Sequence, residues 1–133
     1  MRISVLQQEF HGFYYYNPNT EKPPVEQLKE AANASIDRCI EMIEKAATEG
    51  ADLAITIEGV NDFIAYGDTR YSNERTYDSL DGPVVKRFSE AAKKNNIHIV
   101  AGLSLSFDEK VYNCAVLFDN KGEIIGEIGR AHV

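Results

Sequence analysis

Cysteine is scarce in this chain. Of 133 residues two are cysteines, Cys39 and Cys114. A disulfide framework needs more of them at close spacing, so a reduced, intracellular setting is expected. Positive charge is also in short supply: fourteen Lys and Arg face twenty-one Asp and Glu, a net charge of −7. Without a basic cluster such a chain repels phosphate backbones and anionic lipid surfaces, so neither nucleic acid nor membrane is an expected partner. No apolar stretch reaches the roughly 18 residues of a membrane span. The opening MRISVLQQEF has too short an apolar run before Gln7-Gln8-Glu9 to act as a secretory signal. A cytoplasmic location follows as the expectation. The three histidines, His11, His98 and His132, are far apart, and no pair has metal-ligand spacing. There is no phosphate-cradling glycine loop. Gly102-Leu103-Ser104-Leu105-Ser106 lacks the closing glycine of a nucleophile elbow and falls inside a strand pattern. No metal and no cofactor is expected.

What is present is an ordinary globular balance, 44% apolar and 26% charged, in a length that suits one domain. RISVLQQ reads as a buried strand. The Gly-, Pro- and Asn-rich EFHGFYYYNPNTEKPP is a loop. Its Tyr14-Tyr15-Tyr16 run either packs over the domain edge or lines a substrate entrance. From Pro24 to Glu49, Leu28, Ala32, Ile36, Cys39, Ile40, Ile43 and Ala47 recur at three- and four-residue steps, which predicts an amphipathic helix closed by Gly50. Cys39 on that stripe reads as a small core residue. ADLAITIEG is nearly continuous in apolar residues, as expected of a strand covered on both faces. Residues 59–82 look irregular, and loops of that length are often functional. A second helix starts near Pro83, with Val84, Val85, Phe88, Ala91 and Ala92 for the core, and ends at Asn95-Asn96. IHIVAGLSLSF, KVYNCAVLFD and EIIGEI are three further strands. Short connections make the last three antiparallel neighbours. The order β-α-β-α-β-β-β predicts an α/β fold, a mixed sheet with its helices on one face.

Glu58 is the most informative residue. It ends an apolar strand and opens the long loop, the place where reactive groups gather in α/β folds. Desolvated there, a carboxylate can act as a general base. A strand-end Glu that simply meets solvent or caps a helix is the competing reading of the same feature.

Four segments in order resemble the N-terminal half of the nitrilase superfamily of carbon–nitrogen hydrolases: RISVLQQ, IEMIEKAATEGADLAITIEGVNDF, GPVVKRFSEAAKKNNIHIVAGLSL and VYNCAVLFDNKGEIIGE. The resemblance implies an α-β-β-α sandwich of which residues 1–133 are a single partial domain. It implies hydrolysis of an amide or nitrile by a Glu-Lys-Cys triad in a cytoplasmic homo-oligomer without metal or cofactor. Glu58 matches the catalytic Glu, with Ile57 where the family usually has Pro. Asn61, Phe63 and Tyr66 of the long loop, with Tyr112 and Asn113 of the hairpin, are the expected substrate contacts. Neither Cys39 nor Cys114 matches the nucleophile, so the chain alone is expected to be inactive, because triad residues act as a unit. A non-catalytic α/β binding or interaction domain with a structural Glu58 is the alternative. An unrelated α/β-hydrolase fragment is disfavoured by the missing elbow.

Arg130 falls where the family Lys is expected, but its planar, permanently charged fork does not substitute for a lysine. IGRAHV also reads as the translation of a library adapter, so native sequence is expected to end near Gly126 and Arg130 receives no catalytic role. Half a sandwich would expose apolar sheet and self-associate. The codons for residues 127–133 are predicted to spell one contiguous adapter oligonucleotide, and sequencing the source DNA checks this; any incompatible codon contradicts it.

Overall fold

A computed structural model describes residues 1–9, 24–61, 78–108 and 110–131. His11, Tyr14 to Tyr16, Phe63, Tyr66 and His132 lie outside the described residues. The elements run β1 (Ile3–Val5), α1 (Val25–Thr48), β2 (Leu53–Ile55), α2 (Pro83–Asn95), β3 (His98–Phe107), β4 (Lys110–Phe118) and β5 (Ile124–Ala131). This is the predicted β-α-β-α-β-β-β order.

Both helices are amphipathic. Leu28, Ala32, Ile36, Cys39 and Ile43 of α1 are buried, as are Val85, Phe88, Ala91 and Ala92 of α2. Pro24 caps α1, and Gly50 takes φ +83 just beyond its end, a left-handed position that costs glycine least. Across the helix pair Arg87 bridges to Asp37 and Lys94 to Glu44. Pro83 occupies the first turn of α2, where its missing N–H costs nothing. Its orphan donors are met from outside the helix: Asp78 Oδ2 accepts from Val84 N at 2.7 Å and Val85 N at 3.0 Å. A side chain at Gly82 would place its Cβ 1.7 Å from Asp78 Oδ1, so the carboxylate reaches the helix only past a glycine.

The strands form one sheet in the order β1-β2-β3-β4-β5. β1, β2 and β3 are parallel, while β3–β4 and β4–β5 are antiparallel. Alternation sorts the faces. Ala54, Ile99, Ala101, Leu103, Leu105, Cys114, Val116 and Phe118 are buried in the core shared with the helices. The opposite face carries Ile3, Val5, Leu53, Ile55, Val100, Ala115, Leu117 and Ile128, in rows set by the register.

That second face corrects one expectation. RISVLQQ was expected to form a buried strand and ADLAITIEG one covered on both faces. Here β1 is an edge strand with Ile3 48% and Val5 74% exposed, and Ile128 of β5 is 75% exposed. Leu53 and Ile55 are half-buried around a fully buried Ala54. Both helices lie on one side, so half of each apolar run has no layer over it among the described residues.

Removing the Asp78 carboxylate strips two donors of α2 of their acceptor. Asp78→Ala is predicted to cost about 1–2 kcal/mol, read from urea unfolding followed by far-UV circular dichroism, and Asp78→Asn to cost less. Equal stability of Asp78→Ala and the parent chain would contradict this role.

Candidate functional site

β2 stops pairing at Ile55, opposite Val100, but β3 continues to Phe107. The N–H and C=O groups of β3 that point toward β2 still need partners. Residues 56–61 and 78 supply them without forming a strand. Thr56 N donates to Val100 O at 3.0 Å, and Gly102 N donates to Thr56 Oγ1 at 2.9 Å. Val60 N donates to Gly102 O at 2.9 Å. Asn61 then serves both groups of one residue: its Nδ2 donates to Ser104 O at 2.9 Å and its Oδ1 accepts from Ser104 N at 2.8 Å. Ser106 N donates to Asp78 O at 2.8 Å. The two described ends flanking residues 62–77 are therefore pinned two residues apart on β3.

Glu58 sits in the turn of this path. Gly59 has φ +63, which reverses the chain directly after Glu58. A Cβ at Gly102 would lie 2.3 Å from Ile57 O and 2.9 Å from Glu58 Cα. Only a glycine in β3 lets the backbone of Ile57 and Glu58 cross it this closely. The crossing brings Glu58, which follows β2, to β4, where Asn113 Nδ2 donates to Glu58 Oε1. The carboxylate is exposed and lies on the side of the sheet away from the helices, as Asn113 does by its pairing with Ser104 rather than with the core-facing Leu103 or Leu105.

Of the expected site residues the structure joins Glu58 and Asn113. Asn61 is fully buried, 0% exposed, and its side-chain amide bridges to Ser104; it fastens the Glu58 turn. Tyr112 is one residue from Asn113 and so points to the opposite face, where it pairs with Leu105 and meets Phe107 edge-on at 5.5 Å. The structure does not bring it to Glu58. Thr56, Gly102 and Ser104 hold the site and were not singled out as such. A glycine amid the β-rich run VAGLSLSF was the available signal, since it marks a close backbone approach.

Neither thiol is placed for nucleophilic work. Cys39 is buried between α1 and the sheet, and burial pushes its thiol up to about 12. Burial first, and the Glu127 charge second, also raise the Cys114 thiol. Cys114 faces the core, away from Asn113 and Glu58. A thiol held protonated is inert. Among the described residues no group of His, Cys, Asp and Glu could hold a metal ion, and no helix is long and apolar enough to cross a membrane. Arg130 pairs with Asn113 across β4 and β5 and is exposed.

Comparison with known proteins gives a consistent family. The family model for carbon-nitrogen hydrolases matches residues 22–132. A nitrilase homolog 2 from Dictyostelium discoideum is 32% identical over 102 residues, which are 74% of this chain and 30% of the relative. A deaminated glutathione amidase from Mus musculus is 29% identical over 103 residues, 71% of this chain and 30% of the relative. The chain thus spans under a third of the length of either. In fold it resembles the crystal structure of a carbon-nitrogen hydrolase from Helicobacter pylori G27, with a TM-score of 0.69 at 18% identity over 98% of this chain and 39% of that one.

Replacing Asn61 with an apolar residue of similar size leaves Ser104 N–H and C=O short of their shared partner. Losing a hydrogen bond at a buried backbone group costs about 1–3 kcal/mol. Asn61→Leu is predicted to lose at least about 2 kcal/mol and to lower the melting temperature by on the order of 10 °C, measured by calorimetry. A melting temperature within about 2 °C of the parent would show that the amide does not fasten this turn.

Proposed function

The chain belongs to the carbon-nitrogen hydrolase family, and we propose that within a domain of full family length it supplies the general base, Glu58, for hydrolysis of a small amide or nitrile. The observation that carries this reading is the path of residues 56–61. The chain leaves β2, crosses β3 at Gly102, and delivers a carboxylate to Asn113 on β4. A Glu that merely met solvent at a strand end would not need a glycine crossing and a bonded amide at its head. The name of the Mus musculus relative, deaminated glutathione amidase, favours an amide over a nitrile.

In this mechanism the carboxylate takes the proton of a cysteine thiol and the thiolate attacks the carbonyl carbon. The C–N bond then breaks as the leaving amine receives the proton back, and water releases the acyl group. A lysine stabilises the developing oxyanion. Cys39 and Cys114 are core thiols on the wrong side of the sheet from Glu58, so the nucleophile is neither of them, and the 133-residue chain alone is expected to be inactive. The apolar face bearing Ile3, Val5, Leu53 and Ile55 is the surface against which the second sheet of an α-β-β-α sandwich packs. The working protein is proposed to be a cytoplasmic homo-oligomer that needs no metal or cofactor. Phe63 and Tyr66 belong to the proposed substrate pocket, beside the Glu58 carboxylate that Asn113 holds.

The test is hydrolysis of a panel of short-chain amides and nitriles by the full-length product of a gene carrying this segment. Glu58→Gln, which keeps size and hydrogen bonding but cannot take a proton, is predicted to lower kcat by about 10²–10⁴-fold. Unaltered kcat in Glu58→Gln would overturn the base role.

A further inference from the structure

Glu58 and Asn61 belong to one turn, yet they fasten to two different strands. Asn61 clips the turn to Ser104 on β3, and Glu58 is held by Asn113 on β4. Ser104 and Asn113 are themselves cross-strand partners. Because Ser104 directs its N–H and C=O toward Asn61, it directs neither at β4. Its pairing with Asn113 is therefore of the non-hydrogen-bonded kind, in which side chains stand closest. The contacts close a ring: Asn61, Ser104, Asn113, Glu58, and back through the turn to Asn61.

We propose that Asn113 is a positioning residue for Glu58, holding one carboxylate oxygen so that the other is presented to the proton it receives. The inference rests on the base role of Glu58. The Asn113 amide is suited to this task because its Nδ2 only donates, so it occupies Oε1 without competing for a proton. Among the described residues Glu58 Oε2 has no hydrogen-bond partner. A long, exposed Glu side chain otherwise samples several rotamers. Fixing it supplies the orientation that proton transfer requires. Asn113 thus acts through Glu58 and is not the substrate contact expected from its place in the hairpin.

Two measurements decide this. In the full-length protein, labelled on Glu and Asn, the Glu58 Hα–Hβ three-bond couplings are predicted to report one rotamer. They should average in Asn113→Asp, which keeps the shape and replaces the donor with a like charge, and in Asn113→Ala, with the backbone amide spectrum as the control for folding. In the full-length enzyme Asn113→Asp is predicted to lower kcat by tenfold or more while KM stays within about twofold. Averaged couplings in the unsubstituted protein, or a change in KM alone, would overturn the proposal, the latter by assigning Asn113 to substrate binding. The coupling measurement involves no turnover, so it can fail while Glu58→Gln still abolishes hydrolysis, and the two readings fail separately.

Discussion

A strand that outlasts its neighbour leaves a row of backbone N–H and C=O groups to be satisfied. β3 is such a strand. Its parallel partner β2 ends at Ile55 while β3 runs on to Phe107, and the far edge of that extension is closed by β4. The open edge is closed by Thr56, Val60, Asn61 and Asp78, with a hydroxyl, a side-chain amide and main-chain groups standing in for a strand. An unpaired buried group costs about 1–3 kcal/mol, so this route is the one on which the segment after β2 satisfies β3. Glu58 stands on the route, and its place is set by the need to complete β3.

The same geometry joins stability to function. Gly102 has no side chain, and for that reason the chain crosses β3 and brings a residue that follows β2 to β4. Asp78 does double duty: its carbonyl takes Ser106 N, and its carboxylate takes the first donors of α2. Asp78 thereby ties the first turn of α2 to the open edge of β3. The other face tells the complementary story. At the β1 and β2 end it is apolar, with Ile3, Val5, Leu53, Ile55 and Val100 on one side and the two helices on the other, which suits a sheet built to be packed on both sides.

Much of the fold was legible in the residues. Helix period, Pro83 and Gly50 marked the boundaries of α1 and α2, and short connections between apolar runs forced the antiparallel order of β3 to β5. Glu58 stood out as a charge ending an apolar strand. What was not legible came from contacts distant in sequence. Asn61 looked like a loop residue open to ligand, because nothing local reveals that its amide spans the two backbone groups of Ser104, 43 positions away. Tyr112 and Asn113 looked like a pair, although adjacent strand residues face opposite sides of a sheet. The two-sided apolar character of ADLAITIEG predicted cover on both faces, and among the described residues one layer of helices covers one of them.

Amide hydrogen exchange along β3 tests the central claim most directly. If side chains and loop carbonyls close the edge as a strand would, then Gly102, Ser104 and Ser106 exchange as slowly as Leu103 and Leu105, which face the regular β4 ladder. Fast exchange confined to Gly102, Ser104 and Ser106 would mean that the edge is open, and that Glu58 is not held where this account places it.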